Sequence, residues 1–154
     1  MNNKKTWVEG EVRAADYLKK CGYKILETNF RISGVELDII ALLPRKVRKK
    51  EIITEFKKRK FQNKKEKKLY KSAVMTELKT LNDLLVFVEV KARTSKKFGE
   101  PFEAVGDTKQ HNIERGALAY SKRYNAKNMP IRIDVLSVID DNIEHIKCAF
   151  DSTY

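Results

Sequence analysis

Residues 84–92 read LLVFVEVKA, the most strand-like run in the chain, dense in Val and Phe. Alternation along a strand puts Phe87, Glu89, Lys91 and Arg93 on one face and Val86, Val88, Val90 and Ala92 on the other. Glu89 and Lys91 thus interrupt an otherwise apolar strand on the same side, roughly 6–7 Å apart along it. A carboxylate buried without a partner costs several kcal/mol, so the strand must offer these groups a wet cleft or a counter-charge. Taken alone, the E-x-K reads more simply as a local ion pair on a water-facing edge strand.

The run before it, VELDIIALL (35–43), changes that reading. Alternation places Glu36, Asp38 and Ile40 on one face and Leu37, Ile39 and Ala41 on the other. If this strand pairs with LLVFVEVKA, the backbones lie ~4.8 Å apart and Asp38 sits beside Glu89. Two such carboxylates repel each other unless a cation lies between them. Carboxylate oxygens are hard ligands suited to magnesium or manganese. The plain alternative for Asp38 is a polar residue near a turn, but apolar residues flank it on both sides, which favours a metal site.

Working outward, YKILETNFRI (23–32) reads as a strand joined to VELDIIALL through Ser33-Gly34. Upstream, Thr6 followed by Glu9 predicts a capping box opening a helix that runs to about Cys21 and stops at Gly22. Glu11 falls in the middle of that helix's apolar stripe of Trp7, Val8, Ala14, Ala15 and Leu18. A Glu there needs a counter-charge, a metal or a polar cleft; the alternative is a rim carboxylate bonded to nearby backbone or a lysine. Downstream, SKKFGEPFEAVG (95–106) reads as a loop, Asp107 to Tyr124 as a second helix, IRIDVLSVI (131–139) as a strand, and IEHIKCAF (143–150) as a closing strand or packed segment. The order predicts a mixed α/β sheet flanked by helices.

Other polar residues carry weaker signals. Gln110 flanks the stripe of Ile113, Ala117, Tyr120 and Tyr124, but Asp107-x-x-Gln110 fits a capping box, which would account for it without function. Asp134 interrupts a strand with no spacing that gives it a role. His111 and His145 lack partners at zinc or triad spacing, and no Gly-rich phosphate loop is present.

Between the second and third strands lies a basic insert. Residues 44–80 hold 15 of the 33 Lys and Arg residues and four acids, so this segment carries +11 of the +12 net charge. It contains KVRKK, FKKRKF and NKKEKK, with Phe56, Phe61 and Tyr70 interleaved. Such a block can neutralise phosphates and offer rings for base stacking; equally, it reads as a solvated, partly disordered insert. Tyr70, Val74, Leu78 and Leu81 fall near helical spacing, which predicts an amphipathic helix in its second half.

A pI of about 9.7 points to a polyanionic partner, nucleic acid before an anionic membrane surface. The N-terminal run shows no signal-peptide pattern and no stretch is apolar enough to span a bilayer. Cys21 and Cys148 form neither a metal-ligand spacing nor a disulfide framework, so a cytoplasmic location is expected. The 154 residues suit a single domain, 1–154, elaborated by the insert.

The pieces GEVRAADYL, GYKILETNFR, ELDIIA, LVFVEVKAR, FGEPFEAV, Lys109-Gln110 and IEHIKCAF together resemble the bacterial YraN family. That family is assigned to the PD-(D/E)xK restriction-endonuclease-like superfamily and is similar to archaeal Holliday-junction resolvases. The resemblance covers residues 7–42 and 84–150 and implies an αβββαβ core. By it, Asp38 is the first motif acid, Glu89 and Lys91 supply the E-x-K, Glu11 is the helix-one glutamate, and Lys109 and Gln110 are the second-helix polar pair. Two features depart from the family. Val35 separates Gly34 from Glu36-x-Asp38, which predicts a bulge at the turn and a shifted Asp38, and the basic insert lies outside the common pattern.

The implied activity is hydrolysis of DNA phosphodiester bonds with Mg2+ or Mn2+. Asp38 and Glu89, with the Val90 carbonyl, would hold the metal, and Lys91 would orient water or the scissile phosphate. Glu11 would support the metal site from behind or hold a second metal, and Arg93, Lys96, Lys97, Lys109 and Gln110 would contact the nucleic acid. The resolvase resemblance adds branched DNA and a homodimer. The rival readings are a nucleic-acid-binding module of the same fold without turnover, and a partner of another DNA-processing protein or of the ribosome docking through 44–80.

Overall fold

A computed structural model describes residues 3–93, 106–140 and 142–149. The elements are α1 (Asn3–Lys20), β1 (Lys24–Ile32), β2 (Val35–Leu43), α2 (Arg45–Lys58), α3 (Lys64–Thr80), β3 (Leu84–Arg93), α4 (Asp107–Arg123), β4 (Ile131–Ile139) and β5 (Asn142–Ile146). The strands form one five-stranded sheet in the order β1-β2-β3-β4-β5. The β3–β4 pair, joined through α4, is parallel, and the other pairs are antiparallel. The result is a mixed α/β fold with helices on both faces, consistent with a restriction-endonuclease-like core. β3 lies between β2 and β4, and Leu84–Val90 are all buried, which removes the edge-strand reading of the E-x-K.

Each face of β3 packs on its own helix. Phe87 and Leu85 join Ile113, Ala117 and Tyr120 of α4, whereas Val86, Val88 and Val90 join Ala14, Ala15 and Leu18 of α1. Gly10 sets the approach of α1, because an added Cβ would overlap the Cβ of Ala92. That contact brings Glu11, the next residue, down onto the end of the sheet where Glu89 and Lys91 lie. The stripe of α1 is narrower than its sequence predicts, since Trp7 and Val8 are 43% and 55% exposed. They precede the Gly10 contact and are not packed into either core cluster. The predicted Thr6 capping box also fails, because the helix already starts at Asn3 and Thr6 lies inside it.

The turn after β1 is tight. Ser33 and Gly34 have φ of 51° and 75°, the signs that a two-residue type I′ hairpin needs, and Ile32 pairs directly with Val35. Val35 is therefore the first residue of β2, and the expected bulge at the turn is absent. The register shift lies at the other end of the hairpin, between Ile25 and Glu27.

The basic insert is helical in both halves, not only in the second. Asn63 caps α3 by accepting the Glu66 N–H at 2.9 Å, and the Glu66 carboxylate reaches back past the cap to accept the Gln62 N–H at 2.8 Å. Asp83 accepts the Arg45 N–H at 2.6 Å, and Arg48 donates to the Asn82 carbonyl at 2.7 Å, which ties the start of α2 to the exit of α3. No described helix is long and apolar enough to cross a membrane.

Candidate active site

The site forms where β2 and β3 part. Their ladder runs from Leu43/Leu84 to Ile39/Val88. One step further, Asp38 and Glu89 would face each other, but the Val90 N–H is taken instead by Asp38 Oδ2 at 2.8 Å. The side chain stands in for a strand carbonyl. The Val90 carbonyl leaves β3 on the same edge as its N–H, so it too is directed toward the gap beside Asp38.

This use of Asp38 breaks the simple alternation of β2. Leu37 packs in the α4-side cluster and Ile39 in the α1-side cluster, so the predicted grouping of Leu37 with Ile39 and Ala41 does not hold. Across the hairpin, Asn29 takes a left-handed φ of 52° between the pairs Thr28↔Ile39 and Phe30↔Leu37. Asn accepts that conformation more readily than most residues. Its amide donates to Glu11 Oε2 at 2.8 Å.

Burial and charge then define the electrostatics. Asp38 is 1% exposed and Glu89 is 2% exposed. Lys91 Nζ donates to Glu89 Oε1 at 2.8 Å. Lys109, from α4, places its Nζ 2.9 Å from Glu89 Oε2 in an ionic contact without hydrogen-bond geometry. Asp38 Oδ1 is buried and has no hydrogen-bond partner among the described residues. Burial, and then the charge of Glu89, push the Asp38 carboxyl up to about 7, with Glu11 adding to the rise against the Val90 N–H and Lys109. Lys109 is pulled down by burial but raised overall by its bond to Glu89.

These groups suit a hard divalent cation. Asp38 Oδ1 is an unpaired acceptor, the neighbouring donors are oxygens, and the site carries more negative charge than its burial tolerates. Among the described residues no three Asp, Glu, His or Cys side chains form a ready cage. Two carboxylates and a carbonyl nonetheless match magnesium, which keeps several of its waters.

The sequence-predicted residues therefore divide. Asp38, Glu89, Lys91 and Lys109 converge, and Glu11 stands nearby, held by Asn29. Gln110 is half-buried next to Lys109, and its predicted capping role fails because Gly106, not Asp107, is the N-cap of α4. Lys96, Lys97 and the side chain of Arg93 lie outside the described residues. Asn29 was missed, although an Asn inside a strand run is a recognisable signal for a left-handed step. The contact of Lys109 with Glu89 was also readable, since Lys109 heads the stripe Ile113, Ala117, Tyr120 at helical spacing.

A second polar cluster sits away from this site. Asp134, wholly buried in β4, accepts from Arg132 at 2.7 Å with both oxygens, from the Cys148 N–H at 3.0 Å, and lies 2.9 Å from His145 Nε2. Tyr23 accepts from Arg132 at 2.9 Å. Sequence spacing gave Asp134 no role; in the fold it pairs with the half-buried Arg132.

The model of a family described as "Uncharacterised protein family UPF0102" matches residues 10–138. This chain belongs to the UPF0102 family. A UPF0102 protein of Trichlorobacter lovleyi is 35% identical over 150 residues, covering 94% of this chain and 89% of the relative. One from Thermodesulfovibrio yellowstonii is 37% identical over 142 residues, 92% of each chain, and one from Persephonella marina is 30% identical over 152 residues, 97% and 98%. The UPF0102 match spans α1 to β4 and so includes every residue of the Asp38–Glu89 site.

Proposed function

We propose that this protein is a Mg2+- or Mn2+-dependent endonuclease of the restriction-endonuclease-like superfamily, hydrolysing phosphodiester bonds of DNA, with branched DNA as the preferred substrate. The observation that carries this reading is the buried Oδ1 of Asp38, without a hydrogen-bond partner among the described residues and under the charge of the buried Glu89. Asp38, Glu89 and the Val90 carbonyl would hold the cation, which when bound supplies Lewis-acid stabilisation and an acidified water.

The chain's own groups do the rest. An ammonium has three donors; Lys91 gives one to Glu89, and Lys109 stands in ionic contact with it. With 20% and 34% of their side chains exposed, both reach solvent and keep donors for the oxygens of a scissile phosphate. Lys91 orients the phosphate or the attacking water, and Lys109 and Gln110 hold the backbone from α4. Glu11, fixed by Asn29, keeps a negative boundary on the α1 side. The exposed free thiols of Cys21 and Cys148 suit a reducing cytoplasm, and two copies would serve the two strands of a branched substrate.

A non-turnover binding module is the second reading. It is favoured by the two lysines already on Glu89 and by the bond that occupies Glu11. Labelled branched and linear DNA, incubated with Mg2+ or Mn2+, separates the two. Metal-dependent cleavage by the wild type, absent from a Glu89→Ala, Lys91→Ala double variant, supports the nuclease. Binding without cleavage by either protein removes it.

A further inference from the structure

The insert has a geometry of its own. Every Lys and Arg of residues 44–80 is exposed except the half-buried Arg48. Two of its four acids are engaged: Glu51 pairs with Lys147 at 2.9 Å, and Glu66 accepts the Gln62 N–H and lies 3.9 Å from Arg59. The cations still outnumber the acids heavily. The positive charge of the segment is therefore left for a partner.

The groove between α2 and the end of α1 repeats the pattern. It has a volume of about 880 Å³, and five lysines on its lining, Lys20, Lys46, Lys50, Lys58 and Lys147, outnumber two acids, Glu51 and Glu55. Its floor is fixed by Val47, which packs against Gly22 so closely that a Cβ there would meet it at 3.1 Å.

The aromatic residues are not available for base stacking. Phe56 and Tyr70 stack at 6.0 Å with an interplanar angle of 8°, Phe61 packs on both, and Arg59 sits 4.4 Å above Tyr70. The half-buried rings pack together at the loop end of the hairpin, while the lysines around them are exposed. An anionic membrane fits less well, because the exposed Leu69 and Met75 lie about 120° apart around α3 and form no apolar face.

We infer that the α2–α3 hairpin and its lysine-lined groove form a second nucleic-acid surface that grips the sugar–phosphate backbone of a duplex. This surface is at the end of the sheet away from the Asp38–Glu89 cleft. β3 leaves the insert at Leu84, and Glu89 lies five residues on, ~17 Å at strand spacing. A duplex touching both would span at least about five base pairs, at ~3.4 Å each. The surface reads charge and not bases, so its binding is independent of sequence and steep in salt.

The inference stands apart from the nuclease reading and is tested without turnover. Fluorescence anisotropy in EDTA would follow the full chain on two 20-base-pair duplexes of unrelated sequence, the matching single strand and phosphatidylserine vesicles. The comparison is a variant with Lys46, Lys50, Lys58, Lys65 and Lys68 changed to Gln, its fold checked by circular dichroism. The two duplexes should bind within about two-fold of each other. The variant should bind at least ten-fold more weakly, with a salt slope lower by ~0.9 for each phosphate that a lysine no longer neutralises. The binding assay contains neither metal nor turnover, so a failed nuclease assay would leave this result intact. Unchanged affinity and slope in the folded variant, preference for the single strand, or binding to vesicles but not duplex would each overturn it.

Discussion

Asp38 Oδ2 accepts the backbone N–H of Val90 at 2.8 Å, the first position at which β2 offers β3 a side chain in place of a carbonyl. The bond holds one oxygen of a buried carboxylate still and leaves the other, Oδ1, without a hydrogen-bond partner among the described residues, within reach of the Glu89 charge. One local event thus ends the ladder, opens the cleft and directs a ligand into it.

The charge crowding predicts how the metal-free protein responds to pH. Asp38 titrates near 7 in the folded state against 3.8 ordinarily, because of burial and then the Glu89 charge. Between those values the folded form holds a proton that the unfolded chain has released, so Asp38 makes stability fall as pH rises from 4 to 7. Asp38→Asn removes that term while keeping an acceptor for Val90, so the melting point of the variant minus that of the wild type should grow from pH 4.5 to 7.5 in EDTA. Adding Mg2+ should raise the wild type and not the variant. A difference that stays flat with pH would refute the crowding argument.

Glu89 draws its two cations from different elements, Lys91 on its own strand and Lys109 on α4. Either one alone can balance the buried carboxylate, so Lys91→Met and Lys109→Met should each cost about 1 kcal/mol. Together they strand the charge, and the double variant should lose about 3–5 kcal/mol. Urea melts of the four proteins would show this, and simple additivity would contradict it. For cleavage, Lys91→Met should lower kcat by about 10²–10³, the scale of a lost transition-state donor.

How much of this could be read from the sequence depends on where regular alternation holds. LLVFVEVKA keeps its two faces along its length, so Glu89 and Lys91 fall on the predicted side and the pairing with VELDIIALL puts Asp38 across from Glu89. Alternation fails at Asp38 and Asn29, where both strands turn over, because the rule assumes that backbone alone makes the ladder. Helix ends were less legible. Thr6 and Asp107 have the right chemistry for caps, but the chain turns helical before each, at Asn3 and after Gly106. The second half of the insert showed its apolar spacing; in α2 no residue is fully buried, and lysine density concealed a helix tethered at its start by Asp83 and Asn82 and packed at its other end through Phe56 on Tyr70.

The close contact of α1 with β3 gives a prediction about positioning. Gly10→Ala sets a Cβ against that of Ala92, and neither backbone can yield without shifting the helix. The cost should be about 1–3 kcal/mol, with cleavage reduced because Glu11 moves with the helix. Ala92→Gly in the same chain vacates the volume and should restore most of the stability. A Gly10→Ala protein as stable as the wild type, or one not rescued by Ala92→Gly, would show that this contact does not set the approach of α1.

The Asp134 cluster should behave in the opposite sense to Asp38. Burial raises its carboxyl, but His145, Arg132 and the Cys148 N–H outweigh that and hold it below the usual carboxylate range. A depressed value means that the folded state keeps the ionised form, so the group stabilises the protein above the ordinary carboxylate range, and that contribution fades as pH falls through the folded value. Asp134→Asn leaves Arg132 in the interior without its counter-charge and should cost about 3–5 kcal/mol at pH 7, a deficit that narrows in acid as the wild type takes up the proton. The cluster lies on the α1 face with Leu136 and Val138, whereas Glu89 faces α4. The residual folded fraction should therefore cleave at the wild-type rate per molecule. Denaturant melts in steps from pH 7 down to about pH 2, with cleavage measured on the folded fraction, would test both claims: a deficit that never narrows would deny the ionised role of Asp134, and lost cleavage in folded protein would tie the cluster to the site.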